Sequence, residues 1–116
     1  MKSNDNKIQY KGNEYRIVFD INVLETIQNQ YGLFTNWFKL VNVSGNEEIN
    51  LEALIFGIQE MLNEGIDIDN EDRDEKLPFL THKQVGRIIS EIGLQIMSEK
   101  MSTSIIDSSI VETKNA

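Results

Sequence analysis

Apolar positions alternate with polar ones near the N-terminus, then switch to helical spacing for most of the remaining chain. Ile8, Gln9 and Tyr10 run apolar, polar, apolar, and Tyr15, Ile17 and Phe19 alternate with Arg16 and Val18. A period of two, rich in β-branched and aromatic residues, predicts two half-buried strands. Between them lies Lys11-Gly12-Asn13-Glu14, where Gly12 and Asn13 suit the positive φ of a tight turn. The expected element is a β-hairpin with Tyr15, Ile17 and Phe19 on its buried face and Arg16 outward.

Helical spacing begins after Phe19. Asp20 or Asn22 can cap a first helix, and Asn22 with Glu25 has capping-box spacing. Leu24, Ile27 and Tyr31 share one face, and Gly32 suits the helix stop. Phe34, Trp37, Phe38 and Val41 repeat at i, i+3, i+4 and i+7, a second helix broken by Ser44-Gly45-Asn46. Asn50 can cap a third, carrying Leu51, Leu54, Ile55, Ile58, Met61 and Leu62, with Gly65 as its expected end. Gly57 inside it costs about 1 kcal/mol against Ala, which a close helix approach would explain. Ile66 to Phe79 reads as an acidic loop closed by Pro78, the only proline.

The last helix has the clearest start. Thr81 and Gln84 form a capping box, and Leu80 and Val85 occupy the staple positions. Val85, Ile88, Ile89, Ile92 and Ile96 then make a core stripe on a helix expected to reach Met101. On that continuous wheel, Leu94, Met97 and Met101 point away from the stripe, with Gly86, Ser90 and Gly93 between the two groups. Such a wide apolar arc has two readings. Either the helix is central and packed on several sides, or Leu94, Met97 and Met101 meet a partner, for which adaptable Met side chains are suited. Trp37 has the same two readings, core residue or interface anchor.

Runs of strand followed by runs of helix favour an α+β domain, a hairpin packed against about four helices. Its expected extent is residues 1–101. Residues 102–116, Ser/Thr-rich and polar apart from Ile105-Ile106 and Ile110-Val111, read as a flexible tail dispensable for folding. A chain of 116 residues, 40% hydrophobic, is one domain's worth with enough apolar content for a core.

Charge narrows the function. The net −8 is concentrated between Glu60 and Glu75, where eight acids face only Arg73. No basic stripe matches a phosphate backbone, so nucleic acid is not an expected partner. No apolar run nears the roughly 20 residues that span a bilayer, and the first residues lack a signal peptide's apolar segment. With no Cys there is no disulfide or thiolate metal site. A soluble cytoplasmic protein is the expectation.

Candidate chemistry is sparse. Asp67-x-Asp69-x-Glu71 starts like a calcium loop, but Asp72 stands where Gly is needed and Pro78 where Glu is needed. His82, the only histidine, follows the Thr81 cap with no partner in view for base or zinc chemistry. The serines at 98, 102, 104, 108 and 109 have no nucleophile elbow, and no phosphate loop is present. Neither catalysis nor a cofactor or metal is expected. The chain reads as one that binds.

The stretch Phe19-Asp20-Ile21-Asn22, followed by Leu24, Glu25, Ile27, Tyr31 and Gly32, resembles the tail assembly chaperones of long-tailed bacteriophages and prophages. Many of these open with a strand segment, an F-D-I-N-type junction and a short L-E-x-I-x-x-x-Y-G-like helix. The order of the later elements fits as well, including a T-x-x-x-V-G-type start at Thr81, and the similarity covers roughly residues 7 to 101. The resemblance implies a protein that coats the helical tape-measure protein and recruits tail-tube subunits. It also implies action in the host cytoplasm without retention in the mature virion. In that family a longer, frameshifted form is common, and the Ser-rich end is where such an extension would begin. Leu94, Met97, Met101 and Trp37 are the expected partner-binding residues, and self-association is open. The alternatives are a small structural virion component (a head–tail connector or completion protein) and an acidic regulatory or inhibitor protein. A tape-measure gene directly downstream would separate the first alternative from the chaperone.

Overall fold

The computed structural model describes residues 6–44 and 47–111, so Gly45-Asn46 of the expected helix break lie outside the described residues. Strands β1 (Lys7–Tyr10) and β2 (Asn13–Arg16) pair antiparallel, with Ile8 opposite Tyr15. Helices α1 (Ile21–Tyr31), α2 (Phe34–Val41), α3 (Leu51–Asn70), α4 (His82–Ile92) and α5 (Leu94–Ser108) follow. The α+β class is as expected, with five helices among the described residues in place of about four.

The hairpin turns through Lys11 (φ 51°) and Gly12 (φ 82°), not Gly12 and Asn13. Two consecutive left-handed residues match the right-handed twist of the flanking strands. Tyr15, Ile17 and Phe19 are all buried, although the ladder stops at Arg16 and the chain to Asp20 is extended without a strand partner. This extended run is held from other directions. The Ile17 amide donates to the Asn6 carbonyl at 2.9 Å, and the Val18 amide to the Met61 carbonyl of α3 at 3.3 Å.

Asp20, not Asn22, caps α1, its Oδ1 accepting from the Val23 amide at 3.1 Å. Phe19 packs edge-on against Phe34, which is also in ring contact with Trp37 and Phe38. The aromatic repeat of α2 therefore faces the hairpin end and α3. Trp37 is fully buried, its indole N–H donating to the Ala53 carbonyl at 2.9 Å. Its ring lies against Gly57, where an added Cβ would come within 2.3 Å of it. The mid-helix glycine makes room for that indole.

Helix α3 does not end at Gly65; it continues to Asn70 through much of the expected loop. Gly65 is where the β2 exit crosses the helix, and a Cβ there would stand 2.5 Å from the Arg16 carbonyl oxygen. One turn on, Asp69 meets the Arg16 guanidinium at 2.7 Å, so extending the helix creates the ion pair that fastens β2 to it. The terminus closes with side chains. Asn70 exchanges hydrogen bonds with the Leu77 backbone in both directions at 3.0 Å, and the Lys76 ammonium donates to the carbonyls of Asn70 and Arg73. A cation at these carbonyls also suits the negative end of the helix dipole. Upstream, Asn63 and Gln59 bind the Leu80 backbone and set the entry to α4.

Gly65→Ala is expected to cost about 1–3 kcal/mol, since a backbone carbonyl must move to admit the methyl. In an unobstructed helix the same change would gain about 1 kcal/mol. A urea midpoint that rises in the variant would contradict the close approach.

The capping box at Thr81 forms with both hydrogen bonds, and Leu80 and Val85 are both buried. The helix it starts ends at Ile92. Gly93 adopts φ 120° and ψ 135°, stopping α4 through a 2.8 Å bond from its amide to Ile89 and starting α5 through its own carbonyl. Few side chains tolerate that backbone. Helix α5 then passes the expected boundary at Met101 and reaches Ser108. Ser104 is buried, with its hydroxyl donating to the Ile17 carbonyl and accepting from Asn6, both at 2.6 Å. Much of the expected tail is thus part of the fold; residues 112–116 lie outside the described residues.

Candidate functional site

Of the four expected partner-binding residues, only Leu94 is accessible, 41% exposed. Met97, Met101 and Trp37 belong to the core, each at most 1% exposed. Trp37 is held in the core by its bond to Ala53, and the two methionines have a cause of their own. A wheel drawn through Thr81 to Met101 assumes a continuous helix, and the break at Gly93 resets its phase. On α5 the inward stripe is Met97, Met101, Ser104 and Ile105, at i, i+4, i+7 and i+8. Ile96, expected in the core stripe of one helix running from Thr81 to Met101, instead emerges near Leu94 at 49% exposure, while Ile92 is half-buried. The wide apolar arc is two helices with different inward faces.

The sequence reading missed the surface around the Phe19–Asn22 corner. Ile21 is 63% exposed, although it lies within the junction motif. Beside it a cleft of about 330 Å³ opens between the corner and the end of α5, reaching from Phe19 and Ile21 to Ser104 and Ile110. The alternation that located the hairpin carried no signal for this cleft, because its far wall comes from the segment read as a tail.

A second cleft, of about 300 Å³, lies across the corner between α1 and α3. Glu60, Glu64 and Asp67 line it at i, i+4 and i+7 of α3, with Asn22 opposite and the exposed Phe79 at the edge. Asn22 donates to Glu64 Oε2 at 3.1 Å. A hydrogen bond to the Asp20 carboxylate, then burial, push Glu64 up from its ordinary 4.5 to about 7, against the lowering effect of Asn22. Burial also raises Glu60. This arrangement can hold and release a proton near neutrality.

Other candidate chemistry is dispersed. Asp67 and Asp69 are on helix α3, whose backbone cannot wrap an ion as a calcium loop does, and no cluster suited to a metal ion occurs among the described residues. His82 is exposed at the first position of α4. No helix among the described residues is long and apolar enough to cross a membrane. Compared with known proteins, the chain matches no family model, no curated protein and no solved structure.

Proposed function

We propose that this chain is a non-enzymatic binding protein of the phage tail assembly chaperone type. It would hold the helical tape-measure protein and bring tail-tube subunits to it in the host cytoplasm, without remaining in the mature virion. The observation that carries this reading is the Phe19-Asp20-Ile21-Asn22 corner. The motif's Phe is a core anchor, its Asp is the helix cap, and its Ile projects outward. Three of the four positions thus have separate roles, and outward Ile21 has no role in packing the core. A protein that shields a long apolar helix needs accessible apolar side chains on a stable frame. Ile21, Leu94 and Ile96 have that character. Met97, Met101 and Trp37 are buried and offer no such contact.

The test is capture of the tape-measure protein encoded by the same genetic element. The parent chain should retain it, and Leu94→Lys with Ile96→Lys should weaken binding at least about tenfold, the effect of losing about 1.4 kcal/mol. Both positions are solvent-facing, so the circular dichroism spectrum should be unchanged. If the parent fails to retain the tape-measure protein, the chaperone reading falls. If the double variant binds as the parent does, the surface at the start of α5 is the wrong one.

A further inference from the structure

We propose that the gap over Gly86, between α3 and α4, is a docking site for an amphipathic helix of a partner protein. That helix sets apolar side chains on Ile55 and acidic side chains against Lys83 and Arg87. The proposal does not rest on the chaperone reading. It starts from a glycine with no internal reason to be one. Glycine inside a helix costs stability, so its presence calls for a neighbour that needs the space. Gly57 makes room for the Trp37 ring, and Gly65 for the Arg16 carbonyl. Gly86, in the middle of α4, is different. A Cβ there would meet only Cδ1 of Ile55, at 3.8 Å, which is an ordinary contact. Its φ is not in the left-handed region either. The fold would accept a side chain at this position, so the space left open faces outward.

The walls of the gap define what fits. On α3, Ile55 is half-buried, and Leu51, one turn earlier, is 55% exposed. On α4, Lys83, Gly86, Arg87 and Ser90 share one face by helical spacing. The Ser90 hydroxyl folds back to donate to the Gly86 carbonyl at 2.9 Å, which keeps the helix surface low there. Lys83 and Arg87 are both exposed. Neither cation belongs to an ion pair among the described residues, where the pairs are Lys7–Glu14 and Arg16–Asp69. Glu91, the only acid on α4, is exposed one turn beyond Arg87 and is not in those pairs.

In a chain of net −8, two unpaired cations beside an apolar gap invert the local charge. A low helix surface lets the backbone of a second helix come close, and the apolar floor takes side chains at its i and i+4 positions. The two cations then favour a partner with acids beside that stripe, and a basic helix is repelled. A phosphate backbone would meet only these two cations and would gain nothing from the apolar floor.

The experiment is an amide-resolved NMR titration of the full chain with two synthetic helical peptides. Both carry Leu at i, i+4 and i+7 of one face; one has Glu at the flanking positions and the other Lys. The Glu peptide should shift the amides of Ile55, Gly86 and Arg87 and bind at least about tenfold more tightly than the Lys peptide. Added salt should weaken it. Lys83→Glu with Arg87→Glu, at exposed positions, should reverse the preference between the peptides. Gly86→Leu should fill the gap and weaken the Glu peptide at least about tenfold, while its urea midpoint stays at or above the parent's because helix propensity rises. Shifts confined to other residues, equal affinity for the two peptides, or a preference that the double variant leaves in place overturns the proposal. So does a Gly86→Leu chain that binds as the parent does, since charge attraction alone would then explain the contact. A urea midpoint for Gly86→Leu below the parent's would give the glycine an internal reason, and overturns it as well.

Discussion

Trp37→Ala should lower the unfolding free energy by about 3–5 kcal/mol, the range for deleting a large buried aromatic. Domains of this size have about 5–15 kcal/mol in total, so the variant loses a large part of it. Three contributions act together. The indole is fully buried, its N–H satisfies the Ala53 carbonyl, and its rings contact Phe34 and Phe38. Denaturant unfolding measures the loss, and the Gly57 side of the contact supplies a sharper check. In the parent, Gly57→Ala places a Cβ against the indole and should destabilise. With Trp37 already removed, the same change should stabilise, because the helix gains about 1 kcal/mol of propensity and the obstruction is gone. A reversal of sign across such a cycle is the signature of direct contact. Additive effects would mean that the glycine is there for another reason.

The parts of this fold that were legible from the sequence are those set by neighbours a few residues apart. The hairpin, the Asn50 cap and the Thr81–Gln84 box depend on short-range backbone chemistry; both caps formed as expected, and the hairpin formed with its turn one residue earlier, at Lys11-Gly12. What was illegible depends on distant partners. Gly65 resembles a helix stop until the Arg16 backbone is seen crossing it. Acids at 67 and 69 look like a loop until Arg16, Asn70 and Lys76 supply the partners that let the helix continue. Gly93, expected within a strip of small residues on one continuous helix, is instead a break, with φ 120°. The candidate site suffered most, because a helical wheel reports inward and outward faces only while the helix is unbroken. Leu94 stayed on the surface while Met97 and Met101, three and seven residues on, went into the core.

Ending the chain at Thr103 should destabilise it by about 3–6 kcal/mol, contrary to the composition of the segment removed. Most of the residues lost are polar or exposed, but Ser104 and Ile105 are both buried. Ile105 is 1% exposed, and deletion of a buried isoleucine side chain costs about 2–5 kcal/mol. The Ser104 hydroxyl bridges the Ile17 carbonyl and Asn6, and each buried hydrogen bond contributes about 1 kcal/mol. The loss falls on the extended run beyond β2, where Ile17 has passed the last ladder pair and depends on Asn6 and Ser104 for its backbone contacts. The melting temperature should drop by at least about 10 °C, since 1 kcal/mol shifts a domain of this size by several degrees. Adjacent residues separate docking from mere helix length. Ile105→Ala should reproduce much of the loss, whereas Ile106→Ala, at a position 60% exposed, should stay within about 0.5 kcal/mol of the parent. Equal effects at 105 and 106 would mean that the last turns of α5 do not hold this register against the hairpin end. An unchanged melting temperature in the truncated chain would mean that they do not dock there at all.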